Sequence, residues 1–383
     1  MDKLAQLGGT PISPKMIPLV KPTFTRKDSE DIEKILKTGY VRMGSYTKEF
    51  EEKFAKKVGA KYAYAVSNGT AALHTSYLSF LQPGDEVIAP AFTFIATIST
   101  VYFSNAKPVL ADVDPKTYLL DVEDVKKKIT NKTKAIAPVH LFGNSADMRA
   151  IREIAEDHSF KVVNDCAQAH GTLYDGKDLG SFKDLNCYSF YPTKSMTTGE
   201  GGMVTTNDPN LYKLGCLIRS HGDDARYHHV MFGLNYRPTD IASAIGLNQL
   251  EQLDSFIEKR RHIAQILTKG LSHVDGVHMQ EATPRCTPSY SYYTIDLKLD
   301  ELRCNRDTFM EALKAENIDC AVHYPTALTK QPVVEHLLKP SPCPISEDLT
   351  NRILSLPMHP YLSDEEARLV VEAVNKVASH YHK

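Results

Sequence analysis

Tyr62-Ala63-Tyr64-Ala65-Val66-Ser67-Asn68-Gly69-Thr70-Ala71-Ala72-Leu73-His74 decides the fold class. A short apolar strand ends in a Ser-Asn-Gly turn, and small and apolar residues then continue as a helix. The same junction recurs along the chain. Apolar strands are expected at 62–66, 86–89, 108–111, 135–139, 161–164, 185–190 and 202–205, with helical patterns such as 71–80 and 148–157 between several of them. This alternation predicts an α/β fold with a large, mainly parallel seven-stranded sheet covered on both faces. In such sheets ligands sit at the carboxyl ends of strands.

The flanks differ. The first 25 residues carry Pro11, Pro14, Pro18 and Pro22 and read as an extended arm. Helical spacing follows at 28–36, breaks at Gly39 and Gly44, and resumes with Phe50, Phe54 and Val58. A long helix is expected from Pro238-Thr239-Asp240 onward, leading to a smaller α+β lobe with a strand at 292–297 and helices at 306–316 and 364–377. The expected division is a large domain over 1–250, arm included, and a small one over 251–383.

The 383 residues are 42% hydrophobic and 24% charged, with a net charge of −2 and no concentrated basic face. This argues against nucleic acid or an anionic membrane as partner, and no apolar run is long enough to span a bilayer. The seven cysteines are scattered and form no C-x-x-C pair, so no metal site or disulfide framework is expected, and a reducing cytoplasm is the simplest setting.

Three segments carry candidate chemistry. Lys194 lies in Ser189-Phe190-Tyr191-Pro192-Thr193-Lys194-Ser195-Met196-Thr197-Thr198-Gly199-Glu200-Gly201-Gly202, after a strand and outside any charged run. A lysine in a crowded, partly dry turn loses its proton more readily and can attack an aldehyde. The ordinary reading of any one lysine is a solvated loop residue. Asp165 ends the strand Lys161-Val162-Val163-Asn164, where a buried carboxylate calls for a positive partner such as a protonated pyridine nitrogen; otherwise it is a helix cap. Gly69 and Thr70 open a helix whose first N–H groups attract anions such as phosphate, although an unadorned cap reads the same. Phe94, in Pro90-Ala91-Phe92-Thr93-Phe94, could lie flat on an aromatic ring or simply fill a core. Neither a Walker A loop nor a G-x-G-x-x-G is present.

Together these stretches resemble the DegT/DnrJ/StrS family of pyridoxal-phosphate (PLP) dependent sugar aminotransferases, which have the aspartate aminotransferase-like fold. SNGTAALH, PAFTFIAT, DCAQAHG, SFYPTKSMTTGEGGMVTTND, GLNYRPTDIASAIGLNQL and VHYP follow in that family's order over nearly the whole chain. The resemblance implies that Lys194 holds pyridoxal 5'-phosphate as an imine and that Asp165 pairs with the ring nitrogen. It further implies that Gln168 bonds the ring hydroxyl, that Phe94 stacks on the ring, and that Gly69, Thr70 and Ser189 hold the phosphate. Asn235 matches a position that reaches the phosphate from a second subunit, which implies a homodimer with a shared active site. The expected reaction is ping-pong transfer of an amino group from L-glutamate to a nucleotide-linked keto sugar.

The T-T-G-E-G-G stretch resembles members acting at carbon 4 of a 4-keto-6-deoxy sugar, whereas Arg226-Tyr227-His228-His229 also resembles members acting at carbon 3. Amination of a cyclic ketone is a further option. Tyr40, His229, Arg237 and His323 are the candidate sugar contacts, with surface or core roles as their alternatives. Two rivals are a sugar dehydratase, whose resembling members carry His at the lysine position, and a catalytically silent regulator. Asn164 and Cys166 depart from the Glu and Ala that many relatives have there.

Overall fold

The computed structural model describes residues 3–383. Seven strands, β1 Tyr62–Val66, β2 Glu86–Pro90, β3 Lys107–Ala111, β4 Thr133–Ile136, β5 Lys161–Asp165, β6 Leu185–Ser189 and β7 Gly202–Thr206, form one sheet in the order β1-β7-β6-β5-β4-β2-β3. From β3 to β6 all neighbours are parallel. Only β7 runs against both of its neighbours. The cause is local. No helix separates β6 from β7, so the chain turns back on itself instead of crossing over.

Alternate residues serve the two faces. Ala63, Ala65, Ile136 and Tyr188 enter one hydrophobic cluster, whereas Tyr64, Val66, Ala135 and Cys187 enter the other. Both faces are therefore dry, which is why these strands read as continuous apolar runs. β4 is shorter than the expected 135–139. Pro138 has no N–H to give to the ladder, and only Val139 beyond it forms a single bridge, to Asp165. The helix Gly69–Leu78 starts two residues before the expected 71, because Asn68 caps it by accepting from the Ala71 amide at 2.8 Å.

The expected boundary at residue 250 falls inside one continuous helix, Asp240–Leu271. Beyond it, β8 Val277–Met279, β9 Tyr293–Leu297 and β10 Ile353–Leu356 form an antiparallel sheet backed by the helices Arg306–Ala315 and Asp364–Tyr381. The arm, grouped by sequence with the large lobe, packs instead onto this small one. Leu4 and Ile17 are buried in its core, and the Ile17 amide donates to the Asn317 carbonyl at 2.9 Å. An arm rich in proline cannot close its own backbone hydrogen bonds, so it borrows acceptors from the surface that covers it.

Glu316 is the main lender. It is fully buried, and its carboxylate accepts from the Ala5 and Ile12 amides at 2.9 Å and pairs with Lys376 at 3.0 Å. Glu316→Ala should strand the Lys376 ammonium and cost about 3–5 kcal/mol. Denaturant midpoints should fall, and proteolysis within the first twenty residues should quicken. A midpoint within about 0.5 kcal/mol of the parent, the range of a neutral surface change, would remove Glu316 as the arm's anchor.

Candidate active site

The carboxyl ends of β1, β5 and β6 open on the same edge of the sheet. After β1 comes the helix Gly69–Leu78, whose first N–H groups have no partner within the helix. There is no room for side chains here. A Cβ on Gly69 would lie 2.6 Å from the Ser189 Cβ, and one on Gly202 would lie 2.4 Å from the Asn68 carbonyl oxygen. The helix start is thereby pressed onto the end of β6, with the exposed Thr70 and the buried Ser189 bordering the same corner.

Asp165 closes β5. It is buried, and its carboxylate accepts from the Thr97 hydroxyl at 2.8 Å and the Ala167 amide at 3.1 Å. Among the described residues no basic side chain forms an ion pair with it. Burial raises its pKa, while the two donors and the Lys194 charge pull the other way. Next to it, Asn164 bridges two buried partners. Its Oδ1 meets His140 Nε2 at 3.2 Å, and its Nδ2 donates to Asn186 Oδ1 at 2.7 Å.

Lys194 sits in the reversal between β6 and β7. Thr197 donates its hydroxyl to the Phe190 carbonyl at 2.8 Å, the Thr198 amide donates to the same carbonyl at 3.0 Å, and the Lys194 amide donates to Tyr191 at 2.9 Å. The loop is therefore fixed at its neck. Desolvation lowers the Lys194 pKa, and the Asp165 charge opposes that shift. The small lobe supplies the opposite wall. His323 shares a hydrogen bond of 3.1 Å with the Ser355 hydroxyl. Its pKa is pushed down to about 4 by burial and the Lys194 charge, so it is neutral near pH 7. Gln168 accepts from the Phe142 amide at 2.8 Å and donates to the Tyr324 hydroxyl at 3.2 Å. Phe94 is 55% exposed, with its ring 6.0 Å from that of Tyr324.

The fold thus gathers Gly69, Thr70 and Ser189 in one corner, and puts Asp165 and His323 each within reach of the Lys194 charge. Tyr324 links Gln168 to Phe94. The other candidates stand apart. Tyr40 is 76% exposed, His229 pairs with Asp223, and Arg237 reaches His221 at 3.5 Å. Asn235 is exposed beside Tyr236, whose carbonyl accepts from the Ser67 amide at 2.8 Å. Sequence reading passed over Thr97 and Tyr324, although both lie inside quoted stretches. Thr97, four residues after Thr93 and hydrogen bonded to it at 3.1 Å, was the more findable.

Residues 22–375 match the DegT/DnrJ/EryC1/StrS aminotransferase family. The chain is 38% identical over 370 residues to GDP-perosamine synthase of Escherichia coli O157:H7, covering 95% of this chain and 99% of that one. It is 37% identical over 352 residues to UDP-2-acetamido-2-deoxy-3-oxo-D-glucuronate aminotransferase of Pseudomonas aeruginosa, covering 91% and 96%. Among solved structures, S. venezuelae DesV in complex with a ketimine intermediate superposes with a TM-score of 0.91 at 31% identity, covering 95% and 99%.

The depressed Lys194 pKa has a direct readout. In ligand-free protein, competitive acetylation should show Lys194 titrating below the ordinary lysines. Asp165→Asn should lower that midpoint further, since it removes the negative charge that raises it. A midpoint that rises in Asp165→Asn would show that the two groups do not share a site.

Proposed function

The chain belongs to the DegT/DnrJ/EryC1/StrS aminotransferase family, and from that premise we propose that it moves an amino group from L-glutamate to a nucleotide-linked keto sugar with pyridoxal 5'-phosphate. The observation that carries this reading is Asp165: a buried carboxylate with a raised pKa, no ion-pair partner among the described residues, and a desolvated lysine nearby. A cationic ring nitrogen placed against it would offset the cost of burying the charge. The glycine corner fits the other end of the same molecule, since only a bare backbone leaves the first N–H groups of the helix open to a phosphate.

When bound, the cofactor supplies an aldehyde to carry the amino group and a ring that draws electrons from the donor's α-carbon. The protein does the rest. Asp165, held by Thr97, keeps the ring nitrogen protonated. Gln168 presents its amide to the ring hydroxyl, and Phe94, still exposed, offers a face for the ring. Gly69, Thr70 and Ser189 hold the phosphate. Lys194, with its pKa already lowered, would take the proton from the donor's α-carbon as general base and give it, as acid, to the carbon that bore the aldehyde.

Asn235 stands on an exposed segment, and this reading sends it to the phosphate of a second copy, so that the working unit is a homodimer. Tyr40, His229 and Arg237 are likewise exposed or partly so, and with His323 they are assigned to the sugar. The neutral His323 ring suits an uncharged hydroxyl better than a phosphate. A cytoplasmic setting, where the seven thiols stay reduced, belongs to the same reading. One relative's name specifies a 3-oxo sugar, and the T-T-G-E-G-G stretch resembles members acting at carbon 4, so both carbon 3 and carbon 4 belong in the test.

Purified protein with added cofactor should show a visible band, and borohydride should bleach it and leave the cofactor's mass on the peptide containing Lys194. Lys194→Ala should lose both the adduct and about 10²–10⁴-fold of the turnover. With glutamate, a panel of 3-keto and 4-keto nucleotide sugars should yield 2-oxoglutarate and one aminated sugar. Protein that stays colourless with the cofactor, or an adduct on another lysine, would end this reading.

A further inference from the structure

Lys194 also borders a second space. A cavity of about 20 Å³ is lined by Lys21, Lys194, Ser195, Gln249, Arg260 and Tyr361 among others, and by none of Asp165, Gln168, Phe94, Gly69 or Ser189. Its size admits one water-sized occupant. Its lining holds three cationic side chains and no carboxylate.

Arg260 is the unusual member. It is 3% exposed. Its Nη1 donates to the carbonyls of Tyr290 at 3.3 Å, Ser291 at 3.2 Å and Met358 at 2.8 Å. Among the described residues its Nε is buried with no partner, and so is the Oγ of Ser195, which is 4% exposed. Carbonyl dipoles satisfy donors but carry no net charge, and a guanidinium cannot shed its proton as a buried lysine can. An unpaired buried charge of this kind is expensive. The neighbouring His359 offers no counter-charge, since an imidazole is at most cationic, and burial with the charges of Arg260 and Lys21 pushes its pKa down to about 4.

We infer that this cavity is a binding site for one small monovalent anion of chloride size, held between Arg260 and Ser195 with Lys21 at its rim. Water would satisfy the two orphaned groups but leave the charge uncompensated, and sulfate exceeds the space. The site goes beyond the aminotransfer reading and touches it at one residue. A negative charge beside Lys194 favours the ammonium form, so an occupied site opposes the depressed pKa that desolvation creates.

Crystals soaked in bromide should show an anomalous peak within hydrogen-bond distance of Arg260 and Ser195. The peak should vanish in Arg260→Met and lose occupancy in Ser195→Ala; if the first variant fails to fold, the second decides. In solution, sulfate raises midpoints generally by exclusion from the protein surface, so the comparison is between proteins: replacing sulfate by chloride at equal ionic strength should favour the parent over Ser195→Ala. A water without anomalous signal at the site would overturn the inference, as would a bromide peak indifferent to the variants, or a salt response identical in the parent and Ser195→Ala. None of these readings needs cofactor or substrate. Bromide bound in a protein that never takes up pyridoxal phosphate would sink the proposed function and leave this site standing.

Discussion

A carboxylate at the end of β5, dry and with no ion-pair partner among the described residues, is the constraint around which the site is built. With its pKa raised by burial, folded Asp165 holds its proton to a higher pH than the unfolded chain does. Between the two values the native state binds more protons, so stability falls as pH rises through that window. Thr97 and the Ala167 amide soften this cost without removing it. A structure keeps such a group when something outside the chain completes it, and the family's chemistry asks for a cation there. The same carboxylate opposes the loss of the Lys194 proton, which ties the two residues into one electrostatic unit.

The placing of Lys194 follows from a break in topology. Each connection between consecutive strands from β2 to β6 is a crossover that carries the chain away from the sheet edge. Between β6 and β7 the chain reverses instead, and residues 190–201 stay at the edge, pinned through the Phe190 carbonyl. That leaves the lysine beside the end of β5, the neighbour of β6. The corner formed by Gly69 and Gly202 depends on the same reversal, because β7 brings Gly202 under the Asn68 carbonyl. Lysine and anion cradle are therefore consequences of one antiparallel pair in an otherwise parallel run.

Much of this was legible in the sequence, because strands dry on both faces leave continuous apolar runs and the helix starts carry their caps. All seven strands of the large sheet appear where the pattern puts them, β4 losing its end to Pro138. The arm was harder. Its prolines announce an extended segment, but nothing local says which surface supplies its hydrogen bonds, and Glu316 lies some 300 residues away. Thr97 was hidden for a similar reason. A threonine in the first turn of a helix reads as ordinary until the fold sets its hydroxyl against Asp165. Tyr40, His229, Arg237 and Asn235 lie on exposed segments where one chain leaves them without a shared centre, and no pattern within a single sequence brings them together.

Asn164 shows how a departure from the family's pattern becomes a physical requirement. The Ala146 amide donates to His140 Nδ1 at 3.1 Å, which leaves the proton on Nε2 and makes that nitrogen a donor toward Asn164. On its other side Asn164 faces the Oδ1 of Asn186, an acceptor. An amide offers one acceptor and one donor, and so satisfies both neighbours. The Glu that many relatives carry would meet the acceptor with no proton to give and would bury a second negative charge beside Asp165. Position 164 therefore cannot change alone. His140, Asn164 and Asn186 form one neutral chain, all of it dry, and that neutrality leaves Asp165 as the single negative charge at the end of β5.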